Sequence, residues 1–206
     1  MKITCIGHSG FLVELSLCNL IFDYFKDRCD VVTPEIFSKK TFVFVSHTHA
    51  DHYSRKIFRW SEFGDVTYIL DSGCRIPRSA PQDVSRISEG EQISLWKNLV
   101  NVKAYGSTDI GCSFLVDVDG YKIFHAGDLN CWYWEDESTA EELIEDERRY
   151  LEIIKGIAGQ KIDLAFIPED PKLGKHSKMG IKYFEEIVAP GRIIPMHFPG
   201  NEGKVY

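Results

Sequence analysis

Several things are scarce in this chain of 206 residues, and each scarcity removes a class of function. No apolar run approaches the length of a bilayer span, so a membrane helix is not expected. The opening residues Met1–Gly7 read at once as a strand and lack the apolar core of a secretion signal, which predicts a cytoplasmic protein. Basic residues are in deficit: 24 Lys and Arg stand against 31 Asp and Glu, a formal charge of −7. Proteins that grip phosphate backbones need the opposite balance, so nucleic acid is disfavoured as a partner. The six cysteines, at 5, 18, 29, 74, 112 and 131, include no C-x-x-C pair, which argues against a zinc knuckle or a disulfide scaffold and predicts reduced packing residues. Internal repeats, low-complexity segments and linkers are missing too, and the sequence carries no signature of a particular oligomeric state.

What remains is an ordinary globular composition, 44% hydrophobic and 13% aromatic, enough for one domain spanning residues 1–206. The negative charge is concentrated in Glu135, Asp136, Glu137, Glu141, Glu142, Glu145, Asp146 and Glu147, leaving the rest of the chain close to neutral. Ser138-Thr139-Ala140-Glu141 within that run reads as a capping box, so its carboxylates are taken as the start of a helix rather than a docking patch.

Strand patterns occur at residues 2–6, 11–17, 19–22 and 41–45, with gaps that suggest antiparallel pairing, and again at 66–70, 99–104, 112–118 and 121–124. Asp119-Gly120 predicts a tight hairpin. Helices are predicted at 51–63, from Thr139 to about Ile157 with Gly159 as a stop, and at 177–188; further strands are predicted at 164–167 and 192–194. Strands early and strands mixed with helices late imply sheets covered by helices.

Three of the seven histidines fall within Ser46-His47-Thr48-His49-Ala50-Asp51-His52, directly after the apolar run Phe42–Val45. In extended backbone His47 and His49 share a face, while Asp51 and His52 turn towards another point. Imidazoles and carboxylates at this density suit zinc, iron, nickel or manganese. Other donors end other strands: Asp128 after Ile123-Phe124-His125, Glu169 and Asp170 after Phe166-Ile167, and His197 after Ile193-Ile194.

His47-x-His49-x-Asp51-His52, followed by Gly127-Asp128 and Pro195-Met196-His197, is similar to the ordered motif set of the metallo-β-lactamase superfamily. Gly7-His8-Ser9-Gly10-Phe11 and Phe22-Asp23 resemble its opening strands. The resemblance implies an α/β fold, a four-layer αββα sandwich with a two-metal site at one edge of the sheets. His47 and His49 would hold the first ion, Asp51, His52 and His197 the second, and Asp128 would bridge them. The implied cofactor is Zn2+, one or two ions, with Mn2+ or Fe2+ as alternatives. Water activated between the ions would attack an ester, lactone or phosphoester bond in a small soluble substrate.

Asp51 and Asp128 would act in catalysis with His176, which stands where ribonuclease Z-like members present a histidine near the leaving group; an exposed loop histidine is the plainer alternative. One usual ligand is replaced: Thr108 occupies the place of a histidine for the first ion. Asp109 or a water would substitute, or that ion would bind weakly, so unequal affinities are expected. His49 stands where redox di-iron members carry an acid, which favours hydrolysis. The altered third motif argues against a β-lactam substrate. Asp23 would orient a ligand imidazole; His8 and His125 would face the site or pack. Trp132 and Trp134 are read as core packing at a helix entrance, with the wall of a substrate pocket as the alternative. The rivals are a nuclease of the same superfamily, which would need a basic arm not seen here, and a non-catalytic metal-binding or sensing protein.

Overall fold

The computed structural model describes residues 1–206. The chain forms two compact units, one of Met1–Ser88 with Pro199–Tyr206 and one of Glu89–Phe198. Each is built on a single six-stranded sheet.

In the first unit the strands β1 (Lys2–Gly7), β2 (Gly10–Glu14), β3 (Asn19–Phe22), β4 (Thr41–Val45), β5 (Val66–Asp71) and β6 (Val84–Ile87) lie in chain order across the sheet. β1, β2 and β3 pair antiparallel, but β3 to β6 pair parallel. This corrects the expected antiparallel arrangement up to Val45. The segment between β3 and β4 is a crossover containing the 3-10 helix Pro34–Ser38, long enough to return the chain for parallel pairing. β4 is buried throughout, as a parallel strand covered on both faces should be. Its Val43 and Val45 join Tyr68 and Leu70 in a cluster closed by Ile57, Phe58 and Trp60. Those last three come from the 3-10 helix Arg55–Glu62, which replaces the longer α-helix predicted at 51–63. The chain from His49 to Ser54 is instead spent on a turn, and Ser54 caps the short helix. The C-terminal residues return to β1, where Cys5 N–H donates to the Lys204 carbonyl at 2.9 Å.

In the second unit β7 (Gln92–Leu95), β8 (Val100–Tyr105), β9 (Ser113–Val118) and β10 (Tyr121–His125) form an antiparallel run. β11 (Leu164–Pro168) and β12 (Ile193–Met196) extend it in parallel from β10. Asp119 and Gly120 both adopt positive φ, 54° and 79°, the geometry that a two-residue hairpin requires. β6 and β7 were not legible beforehand, because each carries polar residues and is only partly buried.

Helix α1 (Ala140–Ile157) begins with a capping box one residue later than the sequence suggested. Thr139 Oγ1 accepts from the Glu142 amide while the Glu142 carboxylate accepts from the Thr139 amide at 2.8 Å. Helix α2 (Met179–Ile187) places Phe184 on Phe124 of β10, rings 5.1 Å apart. Fully buried Tyr150 of α1 donates its hydroxyl to the Gly180 carbonyl at 2.7 Å, tying the two helices. All six cysteines are free, and only Cys29 is exposed. Burial pushes the Cys5 thiol up to about 11 and those of Cys74 and Cys131 to about 12, as inert packing thiols require. No helix is long and apolar enough to cross a membrane.

Candidate metal centre

The loop after β4 carries its donors in a fixed protonation pattern. Asp23, fully buried at the end of β3, accepts the Ser46 amide at 2.7 Å through Oδ1, and the Ser46 hydroxyl at 2.6 Å through Oδ2. The same Oδ2 lies 2.8 Å from His52 Nδ1. A carboxylate only accepts, so His52 carries a proton on Nδ1, and Nε2 is the nitrogen it can offer to a cation. The Ser46 hydroxyl, having donated to Asp23, accepts from His47 Nδ1 at 2.9 Å, and Nε2 is likewise the nitrogen that His47 can offer. One buried carboxylate thus sets two imidazoles in the tautomer that binds a cation through Nε2.

His47 Nε2 sits 3.0 Å from His49 Nδ1, two ligand-type nitrogens turned to one another. His47 and His52 are buried, whereas His49 and Asp51 are exposed. Ligand atoms of Asp23, His47 and His52 lie within 4.8 Å of one another. Since the Asp23 oxygens are already engaged, it serves as the orienting group of that trio and the imidazoles as its donors. His8 Nε2 approaches Asp51 Oδ2 at 3.4 Å, and the His8 ring meets that of His52 edge-on at 5.3 Å.

The second unit also sets carboxylates beside an imidazole. Asp128, at the turn after β10, is buried, with its Oδ1 3.6 Å from His197 Nε2. His197 Nδ1 is 3.3 Å from Oδ2 of buried Asp170, whose Oδ1 accepts from the Lys172 amide. Asp170 was foreseen only as an acid at a strand end; here it backs the imidazole, leaving Nε2 towards Asp128. His125 is buried beneath the turn and accepts from the Gly127 amide at 3.2 Å. His8, Asp23 and His197 all adopt left-handed backbone, with φ of 54°, 40° and 71°.

Nitrogen and carboxylate donors with buried carboxylates behind them fit a borderline divalent cation such as zinc, iron or manganese. Residues 2–144 match the family model described as a beta-lactamase superfamily domain. The chain belongs to the metallo-β-lactamase superfamily. A UPF0173 metal-dependent hydrolase of Pyrococcus furiosus is 25% identical over 222 residues, covering 96% of this chain and 84% of that protein. Among solved structures, Igni18, a metallo hydrolase of Ignicoccus hospitalis, aligns with a TM-score of 0.63 at 18% identity, covering 96% of this chain and 82% of its own. The metallo-β-lactamase fold protein YhfI of Bacillus subtilis aligns with a TM-score of 0.65 at 12% identity, over 100% of this chain and 98% of its own. The expected α/β fold is therefore that of the superfamily.

Where superfamily members usually carry a histidine, Thr108 has a different task. Its hydroxyl is 2.6 Å from the Asn130 carbonyl and 3.3 Å from that of Asp128, and it accepts from the Asn130 amide at 3.0 Å. Thr108 thus staples the Asp128 turn from within the second unit. Asp109 is exposed and lines a cavity of about 370 Å³ that also holds Asp128 and His197. Trp132 and Trp134 wall that cavity half-exposed, which corrects their reading as core residues. Their rings stack at 6.0 Å, and Trp132 Nε1 donates to the Asp128 carbonyl at 3.1 Å. His176 lines a different cavity with Glu135, 3.3 Å from its carboxylate, and stands against the Tyr133 ring.

Proposed function

We propose that this superfamily member hydrolyses an ester, lactone or phosphoester bond in a small soluble molecule, with zinc as the resident metal. Its ligands would be His47, His49, Asp51, His52, Asp128 and His197, drawn from the whole of residues 1–206 as one functional domain. The observation that carries the reading is the Asp23–Ser46 arrangement, which engages the Nδ1–H of His47 and His52 so that Nε2 is the nitrogen each offers to a cation. When bound, the metal supplies Lewis acidity and an acidified water. The chain does the rest: Asp23 fixes the His52 and, through Ser46, the His47 imidazole, Asp170 sets a carboxylate beside His197, His8 leans on Asp51, and Thr108 holds the turn that presents Asp128. Because Thr108 is committed to backbone, the set around His47 and His49 lacks a third imidazole and would bind more weakly than the set of Asp51, His52, Asp128 and His197. Free, mostly buried thiols suit a reducing, cytoplasmic setting.

The test is elemental analysis of the purified protein, joined to hydrolysis of p-nitrophenyl acetate, a homoserine lactone and bis-p-nitrophenyl phosphate. Zinc near one equivalent, with turnover of at least one substrate abolished by Asp128→Ala, is the expected result. A folded, metal-loaded protein inert towards all three would overturn the hydrolase reading in favour of a sensor.

A further inference from the structure

The cavity beside Asp128 has a composition that selects for charge. Of its lining groups, Asp128 belongs to the proposed ligand set and Asp170 lies beside His197; the other charged ones are Asp109, Asp146 and Lys172. The formal balance of those three is one net negative charge. Two indoles add to it, because the face of an aromatic ring is the negative end of its quadrupole. Trp132 is held in place by its bond to the Asp128 carbonyl and carries Trp134 in a stack within 4° of parallel. An aromatic surface fixed before binding loses little freedom when a ligand settles on it.

Asp146 projects from the first half of α1 and is half-buried at this wall. Burial lifts its carboxyl above the ordinary value, opposed by Arg149, which itself lines a different cavity. A carboxylate held in such a wall gains from an incoming cation. Lys172, by contrast, is exposed, and its ammonium keeps most of its hydration.

We infer that this cavity recognises substrates bearing an ammonium group, seated on Trp132 and Trp134 and paired with Asp146 and Asp109. The inference rests on the proposed hydrolase reading for what happens next to the seated group, but not for the seating itself.

The probe is choline against its uncharged isostere 3,3-dimethylbutan-1-ol, titrated into the purified protein, with its metal content measured, at constant ionic strength and followed by tryptophan fluorescence. Choline is expected to bind about tenfold more tightly than the isostere. That preference should fall about tenfold in Asp146→Asn and in Trp134→Leu, and Asp146→Glu should restore part of it. Equal binding of the two probes, or a choline preference untouched by both substitutions, would overturn the inference. So would tighter binding of glycerol phosphate than of choline, which would assign the cavity to Lys172 and an anion. Hydrolysis is scored separately, on choline acetate and 3,3-dimethylbutyl acetate. Choline selectivity without turnover of any ester leaves the inference standing and removes the hydrolase reading. Turnover with equal kcat/KM for the two esters and no charge preference in binding does the reverse.

Discussion

Replacing Asp23 by asparagine changes one atom in a fully buried side chain, yet the hydrogen-bond pattern around it allows no neutral outcome. The carboxylate accepts from three donors, the Ser46 amide at 2.7 Å, the Ser46 hydroxyl at 2.6 Å and His52 Nδ1 at 2.8 Å. If the new amide nitrogen takes the Oδ1 place, it meets the Ser46 N–H, and two donors face each other with no rearrangement available. If it takes the Oδ2 place, the Ser46 hydroxyl turns to accept from it and then donates to His47 Nδ1. His52 must also surrender the proton on its Nδ1. Both imidazoles then carry their protons on Nε2, the atom that should bind the cation. Losing charge-assisted bonds of this kind costs about 1.5 to 3 kcal/mol each, so the metal-free variant should lose stability of about that size in a urea melt. Removal of a single orienting partner typically weakens metal binding ~10–100-fold, and two imidazoles are affected here, so a loss of about 100-fold or more is expected. Competition with a chromophoric chelator measures the affinity, and nitrogen-15 shifts of the imidazoles report which nitrogen is protonated. Zinc binding within threefold of wild type, or an unchanged Nδ1–H pattern with no loss of stability, would refute the reasoning.

Three further outcomes are expected. Thr108→His should raise zinc per chain by supplying the missing imidazole, as read by elemental analysis; an unchanged stoichiometry would count against the unequal-affinity proposal. Tyr150→Phe leaves the Gly180 carbonyl without its 2.7 Å donor in the buried contact between α1 and α2, and should cost about 1 to 3 kcal/mol by equilibrium urea unfolding. Lys175, and then His176, hold the exposed Glu135 carboxyl below its usual value. A depressed folded pKa gives stability that is present at neutral pH and fades as pH falls through that pKa. The small difference in Tm between wild type and Glu135→Gln should therefore shrink below about pH 4 and in high salt, and a difference independent of both would refute the assignment.

The sequence disclosed donors better than it disclosed their supports. His47, His49, Asp51 and His52 were legible because they crowd one short loop behind an apolar strand, and the Asp119-Gly120 turn because its dipeptide has one favoured geometry. Pairing direction was harder: β3 and β4 run parallel because of a crossover whose short 3-10 helix carries no strong periodicity. Asp170 and Ser46 act through partners distant or ordinary in sequence, so nothing local marks them as holding His197 and His47. Trp132 and Trp134 misled because aromatic residues before a helix usually pack inward. Here the Trp132 indole is bonded to the turn that presents Asp128, which keeps both rings at a cavity wall.

The left-handed backbone at His8, Asp23 and His197 sets a trade between durability and chemistry. Glycine occupies such φ values without the penalty of a Cβ, about 1 kcal/mol or more per position. A lineage selected only to survive heat would drift towards glycine at 8 and 197, gaining sturdiness while losing an imidazole each time. That these three places carry imidazoles and a carboxylate makes them, in engineering terms, the positions where thermostabilising consensus changes should be withheld.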